Sequence, residues 1–281
     1  MLKQLSPDLV GQDLPSTTVS WDKPDAVLYA LGVGARPDNG LDFIYEGRGP
    51  LVLPTFAVIP GMKVLEGLTS SVELELARLL HGEQGITLHR ALPPRAEARL
   101  SGRITEVWDK GKAAVVGVTG RAEDDDGPLF DVYASLFVLG GGGFGGERGP
   151  SSSGANEPPD RDPDHVVEDK TRPEQAAIYR LSGDRNPMHI DPTFAKAAGF
   201  EGPFLHGLCT FGFIGRAVLA ACCDGSVDRF GGLRGRFADQ VWPGDTVITR
   251  IWDDDNGAIV EARTQKDNVV LTQARALVNN G

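Results

Sequence analysis

Between Tyr179 and Leu219 the chain sets an acid, an amide and a histidine within six residues: Asp184, Asn186 and His189, with Pro187 stiffening the turn. A carboxylate beside an imidazole holds the ring's tautomer and raises its pKa, which suits a proton-transfer pair near neutral pH. Held on one turn, such a pair can share a single water molecule. Asn186 both donates and accepts, so it can orient a neighbour or that water. Further along, His206-Gly207 opens an apolar run that reads as a long helix. The free N–H groups at a helix start can hold negative charge developing on an oxygen. Water on one side and an oxyanion donor on the other suit chemistry on a carbonyl or thioester. The same residues also admit a plain structural role. Asp184 and Asn186 would then cap the loop after Gly183, and His189 would make an ordinary hydrogen bond.

Metal binding is the nearest competing chemistry, because His189-Ile190-Asp191 followed by His206 resembles a two-histidine, one-carboxylate set. Iron oxygenases place the last histidine much further along the chain, and here a short helix and a Gly-Pro turn fill the gap. No metal is expected. Gly141, Gly143 and Gly146 spell G-x-G-x-x-G after a predicted strand, but Pro, Ser and Gly follow where a dinucleotide site needs a helix. No redox cofactor is expected either. Cys209, Cys222 and Cys223 lack disulfide or metal spacing and read as buried, reduced thiols.

The net charge of −11 excludes nucleic acid as the main partner, because phosphate binding needs a basic face. An apolar share of 41% is that of a soluble globular protein. The opening MLKQLSPDLVGQDLP holds no signal-peptide core, and no run approaches the ~20 apolar residues of a membrane span. The ending ALVNNG is not a peroxisomal address. A cytoplasmic location is expected.

The elements that must position the site follow from pattern and punctuation. Residues 1–20 read as an irregular lead-in, and Asp22 caps a helix that has Pro24 in its first turn and stops at Gly32 and Gly34. Residues 41–47 read as a strand. Residues 54–80 are apolar and partly helical, with Leu74, Ala77 and Arg78 near the end. Four strands follow at 85–92, 98–109, 112–123 and 129–140, joined by Asp- and Gly-rich turns. Residues 140–163 are a linker by composition. Next come a helix over 172–183 capped by Gly183, a short helix over PTFAKAAG, the long helix 207–223, and strands at 233–241, 246–253, 258–264 and 269–278.

The two halves therefore repeat one order, with Pro93 and Pro243 at matching connections. The spacing predicts an α+β fold: a duplicated unit of two curved antiparallel sheets, each wrapped around a long helix. Each of Gly207, Gly212 and Gly215 costs a helix ~1 kcal/mol relative to alanine, so a sheet is expected to approach that helix closely. The organisation predicted is 1–140, a linker at 141–163, and 164–281.

The stretch YRLSGDRNPMHIDPTFAKAAGFEGPFLHGLCTFG resembles the signature of type 2, (R)-specific enoyl-CoA hydratases, the MaoC-like branch of the hot-dog superfamily. LYALGVGA (28–35), LPTFAVI (53–59), LLHGEQ (79–84), the DKG of 109–111 and GGFGG (142–146) are similar to that family too, so the likeness covers nearly the whole chain. It implies a double hot-dog in which the first half houses the acyl chain without catalysing, and residues 54–75 indeed hold no Asp-x-x-x-x-His set. It implies a lyase that hydrates trans-2-enoyl-CoA to the (3R)-hydroxyacyl thioester, with coenzyme A as part of the substrate and a homodimeric assembly. Asp184 and His189 would take the catalytic water, Asn186 would support them, and the Gly207 N–H would bind the thioester oxygen. Acyl-CoA contacts are implied at His81, Gly82, Lys110 and Phe237. Along the signature they fall at Arg185, Pro187 and Met188, of which Arg185 and Met188 stand where the family varies. The alternatives in view are a (3R)-hydroxyacyl-ACP dehydratase, a non-catalytic acyl-thioester-binding module and a hot-dog thioesterase.

Overall fold

A computed structural model describes residues 2–75, 78–151, 154–255 and 257–279. Ten strands form one continuous antiparallel sheet. They are β1 (Asp13–Trp21), β2 (Leu79–Leu88), β3 (Ala96–Asp109), β4 (Ala113–Asp124), β5 (Gly127–Leu139), β6 (His165–Lys170), β7 (Phe230–Phe237), β8 (Thr246–Asp254), β9 (Gly257–Thr264) and β10 (Val269–Val278). Their order is β1-β3-β4-β5-β2-β7-β10-β9-β8-β6. Read outward from the centre, each half runs 2-5-4-3-1 in its own count, so the repeat inferred from the sequence is present in the topology.

The expected two sheets are joined into one. At the seam, Glu83, Gln84, Gly85, Ile86 and Thr87 pair with Arg236, Gly235, Arg234, Leu233 and Gly232. A Cβ on Gly232 would lie 2.6 Å from the Ile86 carbonyl oxygen, so only glycine fits there. Arg234 Nε donates to Glu83 Oε1 at 2.6 Å across the same seam.

Helices α1 (Lys23–Gly32), α2 (Leu41–Ile44), α3 (Val58–Gly61) and α4 (Lys63–Ser71) belong to the first half, and α5 (Gln175–Tyr179), α6 (Pro192–Ala197) and α7 (Gly207–Cys222) to the second. The Asp22 cap is a full capping box with Asp25. Helix α7 is buried from Leu208 to Leu219 except at Arg216, as befits a helix that is apolar all round. Its glycines do not face the sheet as expected. A Cβ on Gly212 would come within 2.3 Å of Val33, and one on Gly215 within 2.3 Å of Thr55. The small-residue face of α7 thus receives the first half's α1 and the 3₁₀ turn Pro54–Ala57. Only Gly207 looks onto a strand residue, Phe237. The polar closure matches the apolar one. Gln175 Nε2 donates to the Leu31 and Gly32 carbonyls at the end of α1, and Arg216 donates to the Val33 carbonyl and to Asp169 of β6.

Five further expectations are corrected. Residues 13–21 are an edge strand, disguised by Pro15 and by a register shift between Leu14 and Thr17. The second half has the matching edge strand, β6, in a segment where no strand was predicted. Residues 41–47 are helical, as α2 and the 3₁₀ turn Glu46–Arg48. Among its described residues the first half has no long helix: Pro54 opens a 3₁₀ turn, Pro60 lies inside α3 without an N–H to donate, and α4 follows to end at Ser71. Leu74 and Arg78 follow that end, and Ala77 lies outside the described residues. The helix expected over 172–183 is shorter than its composition suggested, α5 followed by a 3₁₀ turn at Arg180–Ser182. Gly183, at φ 145°, does stand at its cap.

The Gly- and Ser-rich linker starts as an anchored strap. Asp109, at the end of β3, accepts the backbone N–H groups of Gly111 at 2.7 Å, Gly143 at 2.9 Å and Gly145 at 2.8 Å. These amides, Gly143 first, hold its carboxyl below the usual carboxylate range. Lys110 Nζ donates to the Arg148 carbonyl, and Asn156 Nδ2 donates to the Gln273 carbonyl on β10. The strap thereby crosses from the first half to the second. An Asp109→Asn variant keeps the shape but turns one acceptor into a donor facing N–H groups. Trypsin is expected to cut it at Arg148 several-fold faster than wild type, and equal cleavage rates would show the anchor to be unimportant.

Candidate active site

The turn after Gly183 is built by its own side chains. Asp184 Oδ1 accepts the Asn186 N–H at 3.1 Å, and Asn186 Oδ1 accepts the Met188 N–H at 3.0 Å, opening the 3₁₀ turn Pro187–His189. The capping role weighed from sequence is therefore real, and it engages one carboxylate oxygen of Asp184 and the Oδ1 of Asn186, not the second carboxylate oxygen or the Asn186 Nδ2 donors. His189 Nδ1 lies 2.9 Å from the Phe204 carbonyl oxygen. A carbonyl only accepts, so this contact assigns the proton to Nδ1 and leaves the Nε2 lone pair free. Burial lowers the His189 pKa, the Phe204 carbonyl and Asp184 opposing it, so the ring is neutral at pH 7.

His206, the residue before α7, was considered from sequence only as a metal ligand, and the structure gives it a different place. It is buried, with its ring centroid 3.9 Å from that of His189 and 4.9 Å from that of Tyr179. Its Nε2 donates to the Asp184 backbone carbonyl at 3.1 Å, and its pKa is lowered to about 4, by burial first and then by His189. Its own carbonyl accepts the first-turn amides of Cys209 at 3.0 Å and Thr210 at 3.1 Å. The N–H at Gly207 is left without an intrahelical acceptor, as at any helix start.

Donor atoms of Asp184, His189 and His206 lie within 4.8 Å of one another. Nδ1 of His189 and Nε2 of His206 are committed to backbone carbonyls, so each ring has one nitrogen left over. Asp191 instead caps α6, accepting from Thr193 and Phe194.

One cavity of about 980 Å³ gathers Asp184, Asn186, Met188, His189 and Gly207 with His81, Gly82, Lys110 and Phe237. Arg185 and Pro187 are exposed and are not among the residues that line this cavity. Alternate positions of the tight turn face opposite ways, so 184, 186 and 188 look in while 185 and 187 look out. His81 sits edge-on to Phe237, with ring centroids 5.3 Å apart, and burial lowers its pKa to about 4. Phe237 in turn packs on Gly207, where a Cβ would meet its ring at 3.3 Å.

Sequence reading missed a polar wall on the same cavity. Tyr133 donates to Glu106 Oε2 at 3.1 Å, Trp108 Nε1 to the same oxygen at 3.2 Å, and the Arg234 guanidinium lies 3.9 Å from the Tyr133 ring centre. Strand alternation was the available signal, since Glu106 and Trp108 share one face of β3, as Tyr133 and Ser135 share one face of β5. Pro150, Ser151 and Asn156 of the strap close the rim.

Residues 155–274 match the family described as "MaoC like domain", and residues 19–140 match "MFE-2 hydratase 2 N-terminal domain". The chain is 39% identical over 274 residues to enoyl-CoA hydratase ChsH3 of Mycobacterium tuberculosis, covering 94% of this chain and 95% of that one. It is 41% identical over 274 residues to the peroxisomal multifunctional enzyme type 2 of Mus musculus, again over 94% of this chain, but it spans only 37% of that longer protein. Among solved structures, a MaoC-like dehydratase from Phytophthora capsici superposes with a TM-score of 0.85 at 29% identity, covering 97% of this chain and 96% of the other.

The three buried imidazoles tie stability to pH. His81 and His206 take up protons near pH 4 when folded but near 6.5 when unfolded, and His189 shifts the same way. Between those values the unfolded chain binds more protons, so stability falls as pH drops from 6.5 towards 4. Denaturant titrations are expected to show this slope, and His81→Gln should reduce the proton uptake on unfolding by about one. An unchanged slope in that variant would refute the assignment for His81.

Proposed function

Since the chain belongs to the MaoC-like, type 2 enoyl-CoA hydratase family and has its double hot-dog fold, we propose that it adds water reversibly to trans-2-enoyl-CoA, giving the (3R)-3-hydroxyacyl-CoA. One observation carries this reading. A neutral imidazole with a free Nε2, a carboxylate and a helix-start amide border the same cavity.

In the reaction the thioester oxygen accepts the Gly207 N–H, and a water molecule sits between Asp184 and His189 Nε2. His189 takes a proton from the water as its oxygen bonds to C3. The C2=C3 electron pair moves to C2, and the enolate charge collects on the thioester oxygen at Gly207. Such a donor typically lowers the barrier by ~3–4 kcal/mol. The imidazolium then returns its proton to C2 on the face from which the water arrived. Water is the only reactant added, so neither redox cofactor nor metal enters the balance. Asp184 holds the water and stabilises the transient imidazolium.

The stereochemistry tests this. Crotonyl-CoA hydrated in D2O is expected to give the syn, (3R) product, which an (S)-specific 3-hydroxyacyl-CoA dehydrogenase leaves unoxidised. Rapid NADH formation in that coupled assay would refute the site reading. Asp184→Asn and His189→Gln should each lower kcat by orders of magnitude with KM nearly intact. Retention of more than a tenth of wild-type kcat, an effect under ~1.4 kcal/mol, would remove that residue from the mechanism.

We also place the chain in a reducing compartment, the cytosol, and in a homodimer. Cys209, Cys222 and Cys223 are all unpaired thiols, which fits the first. The sheet's two outer edges, β1 and β6, stay unpaired within the chain, which favours assembly. Light scattering should give about twice the 30.0 kDa of one chain, and a monomer at micromolar concentration would refute the dimer.

A further inference from the structure

We propose that His206 is a positioning residue that fixes the distance between the proton-transfer turn and the oxyanion donor. Three contacts of one buried residue carry this. Its Nε2–H donates to the Asp184 backbone carbonyl at 3.1 Å, tying the start of α7 to the residue that holds the water. Its ring packs against both Tyr179 and His189, at centroid distances of 4.9 and 3.9 Å and tilted by 48° and 34°, so the base is held against it. Its own carbonyl receives the Cys209 and Thr210 amides, which makes it the N-cap residue immediately before Gly207. Main chain and side chain of a single residue therefore set where water and thioester oxygen stand relative to each other. No other described residue joins Asp184 to this helix start by a hydrogen bond. His206 Nδ1 is buried with no partner among the described residues. Leaving it so is costly, yet the site retains an imidazole at this position.

The ring also acts on the base. The charged and titratable groups that face the pair are Asp184 on the same turn, which favours a charge on either ring, and Arg180 on the turn after α5, which opposes one. Tyr179 covers the far side of His206, and Phe204 the edge of His189. A stacked neutral imidazole shields His189 from water and thereby keeps its lone pair available below the ordinary histidine range.

Two substitutions separate these roles. His206→Phe keeps an aromatic ring in the stack but loses the donor to Asp184. His206→Gln keeps a donor but loses the ring. His206→Phe should lose about 10- to 100-fold in kcat with KM within about threefold, one buried hydrogen bond expressed in the barrier. His206→Gln should recover part of that loss. In His206→Gln the acid limb of kcat/KM should move to higher pH, towards 6.5, because water reaches His189. The kinetic arm rests on the hydratase reading. An NMR titration of the His189 ring does not, and it should show the same upward shift without turnover. A His206→Phe enzyme that keeps more than half of wild-type kcat would overturn the proposal. So would a His189 titration unchanged in His206→Gln, and that arm decides the matter even if the phenylalanine variant does not fold. Wild-type inactivity on crotonyl-CoA beside the expected NMR shift would instead refute the hydratase reading alone.

Discussion

The ladder between β2 and β7 is the constraint on which the rest of the structure depends. Without it each half would be a five-stranded sheet with an open edge at its centre. With it, Gly232 and Gly235 let the two backbones and the core close up, and Phe237, at the end of β7, reaches Gly207 on one side and His81 on the other. The cavity straddles that seam. The turn from Asp184 to His189 and the helix start at Gly207 come from the second half, whereas His81, Gly82, Lys110 and the Tyr133–Glu106 wall come from the first. Duplication has thus produced a division of labour inside one sheet.

The asymmetry between the halves has a local cause. Where the second half has sixteen helical residues unbroken from Gly207 to Cys222, the first has two prolines within seven residues, Pro54 and Pro60. A helix cut at those points cannot present a single N-terminus on a proton-transfer turn, and that half carries no acid–histidine pair in 54–75. Burial of His81, His189 and His206 then sets the electrostatics: it lowers the pKa of all three imidazoles, and Nδ1 of His189 and Nε2 of His206 are each tied to a backbone carbonyl.

Much of this was legible in the chain. Asp184, Asn186, His189 and Gly207 stand out because proton transfer and an oxyanion donor require those types at short spacing, and the structure brings them to one cavity. Eight of the ten strands were visible because alternation and turn residues agree. The edge strands β1 and β6 were not, since a strand with one free side needs little apolar pattern. Arg185 and Pro187 stay outside the cavity lining, and spacing alone does not say which way a turn faces. The place of His206 beside the base was hidden because its key contact, to the Asp184 carbonyl, spans 22 positions of sequence. The Gly212–Gly215 face was read correctly as a close approach but assigned to the wrong partner, as no local pattern names what lies opposite a helix.

That partner bears on how the two halves can change over evolutionary time. Val33 and Thr55 of the first half occupy the hollows over Gly212 and Gly215, and Phe213 fills the space that a side chain at Gly34 would take. Neither half closes its own interior. A gene fragment encoding only residues 164–281 would deliver the catalytic turn on a helix stripped of its cover. A larger residue at position 33 or 55 would be felt at the helix that begins at Gly207. Drift in either half is therefore policed by the other.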